Sequence, residues 1–155
     1  FDPHMKLVLV TPEIPWNTGA IGRTCVALNL ELILIKPYGF SLDEKSVRRA
    51  GTDYWKMFIL VSMKLAAFLD ERQPPRDALY FFEENGAQNF YTPDYDPDGY
   101  LVFGCESKGL PIAILDGLED RIFNLPMRDT RVRSLNLANV ATAVIYQAMR
   151  TQLGG

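Results

Sequence analysis

Three short segments hold residues able to bind or transform a small molecule, and each lies just after an apolar run. The first is Asn17-Thr18-Gly19-Ala20-Ile21-Gly22-Arg23. Asn17 or Thr18 has the side chain to cap a following helix, and Arg23, about two turns in, brings a permanently charged guanidinium back toward the strand ends. Taken alone, a capped helix with a surface arginine accounts for this segment. The second is Phe103-Gly104-Cys105-Glu106-Ser107-Lys108-Gly109-Leu110-Pro111. Its glycines let backbone approach a ligand. The interval from Gly104 to Gly109 mimics a phosphate-binding loop, but Leu110-Pro111 stand where that motif needs Lys and Ser or Thr, so a triphosphate cradle is disfavoured. No G-x-G-x-x-G follows a strand, which weakens a dinucleotide reading. The third is Ile122-Phe123-Asn124-Leu125-Pro126-Met127, a basic stretch, then Ser134-Leu135-Asn136-Leu137-Ala138-Asn139. Ser134 or Asn136 suits an N-cap, and a helix start also offers hydroxyl, amide and N–H groups to a ligand, so capping and binding compete closely here.

The elements that must position these segments follow from periodicity. Lys6–Val10, Glu31–Ile35, Met57–Val61, Ala78–Phe82, Tyr100–Phe103 and Arg121–Asn124 are short apolar or β-rich runs bounded by turn residues, which predicts six strands. Helix-compatible stretches lie between them at Thr18–Leu28, Asp43–Ala50, Lys64–Glu71 and Pro111–Leu118, the last with proline at a first turn. Leu137–Arg150 carries apolar residues at helical spacing with many small side chains, which fits a helix on its own sheet or one that also meets a partner. Strand and helix alternate, so the class is α/β with a mostly parallel sheet flanked by helices. Gln73-Pro74-Pro75-Arg76 is the expected linker and Tyr91–Gly99 an exposed loop.

At 155 residues and 48% hydrophobic composition the chain is expected to form a single domain over 5–155, with residues 1–4 a tag remnant ahead of Met5. His4 is the only histidine, so the remaining chain has no imidazole for a serine–histidine relay or a histidine metal site, and most hydrolase mechanisms fall away. Cys25 and Cys105 lack metal-ligand spacing, and no metal is expected. No apolar run approaches the roughly twenty residues of a membrane span, so no membrane partner and a cytoplasmic location are expected. The formal charge of -3 argues against indiscriminate nucleic-acid binding. Arg23, Lys45, Arg48, Arg49, Arg128, Arg131 and Arg133 nevertheless gather in three segments, leaving room for a local basic face.

Together, N-x-G-x-x-x-R, G-x-E-x-x-G-L, and a Leu-Pro-Met turn leading into S-L-N-x-x-x-A resemble the three motifs of the SPOUT methyltransferases, specifically the ribose 2′-O branch. The resemblance runs from Met5 to about Leu153 and includes Pro12-Glu13-Ile14-Pro15 and Arg48-Arg49-Ala50-Gly51-Thr52-Asp53-Tyr54. It is strongest to the short subgroup that methylates the wobble pyrimidine ribose of tRNA. The resemblance implies a C-terminal deep trefoil knot, an obligate homodimer whose pockets draw on both subunits, and S-adenosylmethionine as donor, with S-adenosylhomocysteine as product. It implies tRNA as the partner. It places donor binding on Phe82, Gly104, Leu125, Met127 and Ser134, and catalysis on Arg23, Glu106, Ser134 and Asn136. Arg48, Arg49, Lys108, Arg131, Arg133 and Tyr146 are the RNA-contact candidates. The subgroup usually has proline where Cys105 stands and arginine where Lys108 stands, and lysine keeps the charge but loses the bidentate fork. The alternative is a non-catalytic RNA-binding or scaffold protein of the same fold.

Overall fold

The computed structural model describes residues 4–41 and 59–155. Its strands are β1 (Lys6–Val10), β2 (Glu31–Ile35), β3 (Ile59–Met63), β4 (Leu79–Phe82), β5 (Gln88–Asn89), β6 (Tyr100–Phe103) and β7 (Ile122–Asn124). The helices are α1 (Pro15–Leu28), α2 (Leu65–Arg72), α3 (Ile112–Leu115) and α4 (Leu137–Ala148). Among the described residues the strands form one sheet in the order β3-β2-β1-β6-β4-β7-β5. Every pairing in it is parallel.

Strands β1, β2, β4 and β6 are nearly continuous apolar runs because both faces of the sheet are covered. Alternation then sorts side chains between two cores. Leu7, Leu9, Leu32, Leu34, Tyr80, Phe82, Leu101 and Phe103 face α1 and α4. Val8, Val10, Ile33, Ile35, Phe81 and Val102 face α2 and α3. Helix α4 presents Ala141, Val144, Ile145 and Ala148, the i, i+3, i+4, i+7 stripe, to the first core. Helix α1 lies against α4 and is buried there through Gly19, Gly22 and Cys25, residues small enough for close approach.

The boundaries moved where a local signal competed with the pattern. Strand β3 lies two residues later than the expected Met57–Val61, and Ala78 belongs to a single 3-10 turn, Arg76–Ala78, ahead of β4. Strand β5 was not anticipated: Gln88-Asn89 pairs with β7 through backbone alone and has no apolar pattern to betray it. Helix α3 is only four residues, with Pro111 as its N-cap. The expected helix Asp43–Ala50 lies outside the described residues, as do the first two residues of the expected third strand and the Arg48–Tyr54 stretch. The Tyr91–Gly99 loop is tied at its base: the Tyr80 hydroxyl accepts the Asp96 N–H at 2.8 Å, and Lys6 pairs with Asp98 at 2.6 Å. Among the described residues no helix is long and apolar enough to cross a membrane.

Candidate active site

Because all strands run the same way, β4, β6 and β7 end on one edge of the sheet, where open α/β sheets place ligands. The residues after them, Glu83–Asn85, Gly104–Gly109, and Leu125 with Met127, line a cavity of about 710 Å³ that Arg133–Leu137 close from the C-terminal side. That volume suits a nucleoside-sized ligand. Phe82 and Phe103 support the wall from below, their rings stacked at 5.0 Å between centroids. The Phe82 side chain belongs to the core, at 6% exposure.

The loop after β6 is shaped by two glycines. A Cβ on Gly104 would lie 2.1 Å from the Gly109 carbonyl carbon and 2.3 Å from the Leu110 nitrogen, so only glycine permits this crossing. Gly109 itself sits at φ +69°. Between them the chain closes a tight hairpin: the Gly109 N–H donates to the Cys105 carbonyl at 3.0 Å and the Cys105 N–H to the Gly109 carbonyl at 3.3 Å. Cysteine at 105 therefore donates a bond that the subgroup's proline has no hydrogen to make.

A chain of polar contacts joins the three motif segments. Glu106 Oε1 accepts the Glu13 N–H at 3.0 Å, and Oε2 accepts the Ile14 N–H at 2.9 Å and Asn17 Nδ2 at 3.1 Å. Asn17 Oδ1 in turn accepts from Asn136 Nδ2 at 3.2 Å. Asn136 Oδ1 accepts the Ala138 and Asn139 N–H groups at 2.9 and 3.2 Å, which makes it the N-cap of α4. Glu13 returns the grip, its carboxylate accepting the Ser107 N–H at 2.8 Å and the Ser107 hydroxyl at 2.7 Å. Those two Ser107 bonds hold the Glu13 carboxyl below its usual range.

This geometry corrects one expectation. Neither Asn17 nor Thr18 caps α1, because the helix begins earlier: Pro15, with its fixed φ, opens it after Ile14, which makes no side-chain cap bond. Asn17 and Thr18 are buried inside the first turns, at 4% and 2% exposure, and the free N–H groups ahead of the helix are served from across the fold by Glu106. Of the two candidates for the last helix, Asn136 rather than Ser134 is the cap.

Glu106, Ser134, Asn136, Gly104, Leu125, Met127, Lys108 and Arg133 all line the cavity with Phe82. Arg23 does not: it is exposed on α1 and is not among the lining residues. Tyr146 is 51% exposed on α4, and Arg131 is tied to Asp129 at 2.7 Å on the surface. Arg48 and Arg49 lie outside the described residues. Sequence reasoning missed three site residues. Asn17 was read as a cap and as the first position of a motif, Glu13 only as part of a motif, and Glu83 was given no site role, although a carboxylate directly after an apolar strand is itself a signal.

A knot-forming class of RNA methylases is what this fold and site match. The SpoU rRNA Methylase family model matches residues 4–147, and the chain belongs to that family. By family, the fold is a knotted one. The chain is 40% identical to the tRNA (cytidine(34)-2'-O)-methyltransferase of Saccharophagus degradans over 152 residues, 96% of each protein. A solved structure giving structural insights into the 2-OH methylation of C/U34 on tRNA superposes with a TM-score of 0.89 at 40% identity, over 99% of both chains. The SpoU methyltransferase AviRb of Streptomyces viridochromogenes, solved in complex with the cofactor AdoMet, gives 0.86 at 26% identity over all of this chain and 63% of that one.

Proposed function

We propose that this chain is a tRNA 2′-O-methyltransferase acting on the ribose of the wobble-position pyrimidine, with one domain over 5–155 carrying the whole activity in the cytoplasm. The observation that carries this reading is the meeting of all three motif segments at one cavity through Asn17, at the strand ends where a methyl donor fits. The near-full-length likeness to a cytidine-34 enzyme supports the same substrate.

The cavity fits the donor. Apolar walls from Leu125, Leu137 and Val140 suit an adenine, and the backbone of the Gly104 hairpin with Ser134 suits ribose and amino-acid groups. Bound S-adenosylmethionine supplies an electrophilic methyl group on a sulfonium. The protein's task is then alignment of the ribose hydroxyl and stabilisation of its developing oxyanion. Arg23 serves as that electrostatic stabiliser, since a guanidinium stays protonated at physiological pH and is ill suited to take a proton, which leaves to water or phosphate. Glu106 has both oxygens engaged at the entry to α1, by Glu13, Ile14 and Asn17, so it braces the loop. Asn136 fixes the start of α4, and Ser134 orients donor and ribose.

The homodimer belongs to this proposal. Arg23 stands outside its own cavity, and Ile14 and Trp16 at the start of α1, Tyr146 on α4 and Leu153 beyond it are large apolar side chains at 43%, 55%, 51% and 47% exposure. Pairing two copies through this side covers that surface and lets Arg23 serve the partner's cavity. Lys108, Arg131, Arg133, Arg48 and Arg49 with Tyr146 are the proposed tRNA contacts.

The test is transfer of labelled methyl from S-adenosylmethionine to bulk tRNA, followed by nucleoside digestion. A 2′-O-methylated pyrimidine from the anticodon loop is expected. Label at another nucleotide would move the site, and no transfer with no donor binding would overturn the enzyme reading in favour of a scaffold.

A further inference from the structure

None of the roles above uses Glu83. It follows β4 directly, lines the cavity and is half-buried. One bond holds its side chain among the described residues: Oε1 accepts the Leu110 N–H at 2.5 Å. Its second oxygen accepts no hydrogen bond and the carboxylate has no ion-pair partner among the described residues. A Cβ on Gly109 would lie 2.8 Å from Oε2, so that oxygen lies over the loop glycine. Glu84, beside it, also lines the cavity. Burial pushes the Glu83 carboxyl above its usual range, the Leu110 N–H partly offsets this, and Glu84 adds to the rise. A half-buried carboxylate next to a second one, without a cation, is incompletely compensated, and a cationic ligand would complete it.

The other charges on the cavity do not supply that compensation. Glu106 is engaged at the entry to α1, while Lys108 and Arg133 line the cavity without bonding Glu83. Methyl transfer breaks the donor's S–CH3 bond with the electron pair staying on sulfur, so donor and product differ by one positive charge at that atom. We propose that Glu83 is a charge-selecting residue of the donor site, favouring the cationic sulfonium donor over the neutral thioether product. This rests on the methyl-donor reading of the cavity, and it gives the enzyme a means to shed its product without a separate release device.

Glu83→Gln tests it, since glutamine keeps an oxygen for the Leu110 N–H while removing the charge. Calorimetric titration of the purified protein with S-adenosylmethionine, with S-adenosylhomocysteine, and with a donor analogue carrying an amine in place of the sulfonium separates the readings. The two cationic ligands should each weaken by about tenfold, the scale of one screened charge contact at close range, and the thioether by less than about twofold. Equal weakening of all three would make Glu83 a loop brace or a ribose contact and overturn the proposal, as would no change in any. Failure of the wild-type protein to bind any of the three would instead sink the donor reading beneath it. Should Glu83→Gln lose its fold, Glu84→Gln, more exposed, should lower the same ratio by about twofold, and an unchanged ratio there would count against charge selection.

Discussion

Changing Asn17 to aspartate would set a second carboxylate where an amide now donates to Glu106 Oε2 at 3.1 Å. Two effects follow. A hydrogen bond to a charged acceptor is lost, worth about 1.5–3 kcal/mol, and two like charges are brought together, worth about 4 kcal/mol at 4 Å and an effective dielectric near 20. Glu106 is only partly buried, so water screens the pair, and the two effects describe one contact and do not add. We expect Asn17→Asp to lose about 3 kcal/mol at pH 8, and Asn17→Ala about 1–2 kcal/mol. The pH dependence separates them. Like-charge crowding raises the introduced carboxyl's pKa in the folded state above its unfolded value, so its stability is fully present below the unfolded value, near 4, and is lost as pH rises through the folded one. The protonated form can also donate to Glu106 as the amide did. Urea midpoints at pH 8 and pH 5 read this directly: Asn17→Asp should recover part of its deficit at pH 5 while Asn17→Ala stays flat. If both variants show equal deficits at both pH values, Asn17 does not stand against the Glu106 carboxylate and the polar chain through the three segments is refuted.

The Thr18 hydroxyl is buried without a hydrogen-bond partner among the described residues, so Thr18→Val should raise stability by about 1 kcal/mol in the same urea assay, and a loss would mean the hydroxyl is satisfied. Gly104→Ala drives a Cβ into the Gly109 backbone and should cost about 3 kcal/mol or abolish donor binding by calorimetry; a fully active, equally stable variant would contradict the crossing. Lys6 holds the Asp98 carboxyl below its usual range, so this pair's stability is present above the unfolded value near 3.9 and is lost as pH falls through the folded one. Lys6→Met should therefore cost about 0.5 kcal/mol near neutrality and nothing measurable at pH 2, checked by thermal unfolding at the two pH values. Arg23→Ala should retain donor affinity yet lose most methyl transfer, and unchanged turnover on tRNA would remove Arg23 from the mechanism.

The α/β class and the parallel sheet were legible because a strand covered on both faces has no polar half: Leu7–Val10 and Leu32–Ile35 admit few other readings. The last helix was legible because Ala141, Val144, Ile145 and Ala148 keep strict helical spacing. What stayed hidden was non-local. Asn17 looks like a cap in sequence, and only the arrival of Glu106 from 89 residues away, and of Asn136 from 119, makes it a hub. The start of α1 was misplaced for the same reason, since its cap is a carboxylate on another loop and no local cap residue marks it. Two-residue β5 carries no periodicity, and a knot leaves no trace in periodicity, so that part of the fold rested on resemblance until the family was established. Glu83 was passed over because reasoning by motif looks at motif positions, while its role depends on which loop crosses above it.

A chain of formal charge -3 whose proposed partner is a polyanion must solve recognition without a net positive charge. Two cations line the cavity, Lys108 and Arg133, and neither makes an ion pair among the described residues. Arg131 is largely neutralised by Asp129. Two uncompensated charges per cavity are too few to hold a duplex by counterion release, so specificity has to come from a shape that presents an unstacked nucleotide to a pocket. The anticodon loop is such a shape, with bases already splayed for stacking. Pairing two copies through the α1 and α4 side would double the cation count on one surface and set a second subunit beside each cavity. On this account the apolar side chains left exposed around Trp16 and Tyr146 and the sparse charge at the cavity would be two sides of one arrangement, in which a small acidic domain would obtain its RNA footprint from assembly.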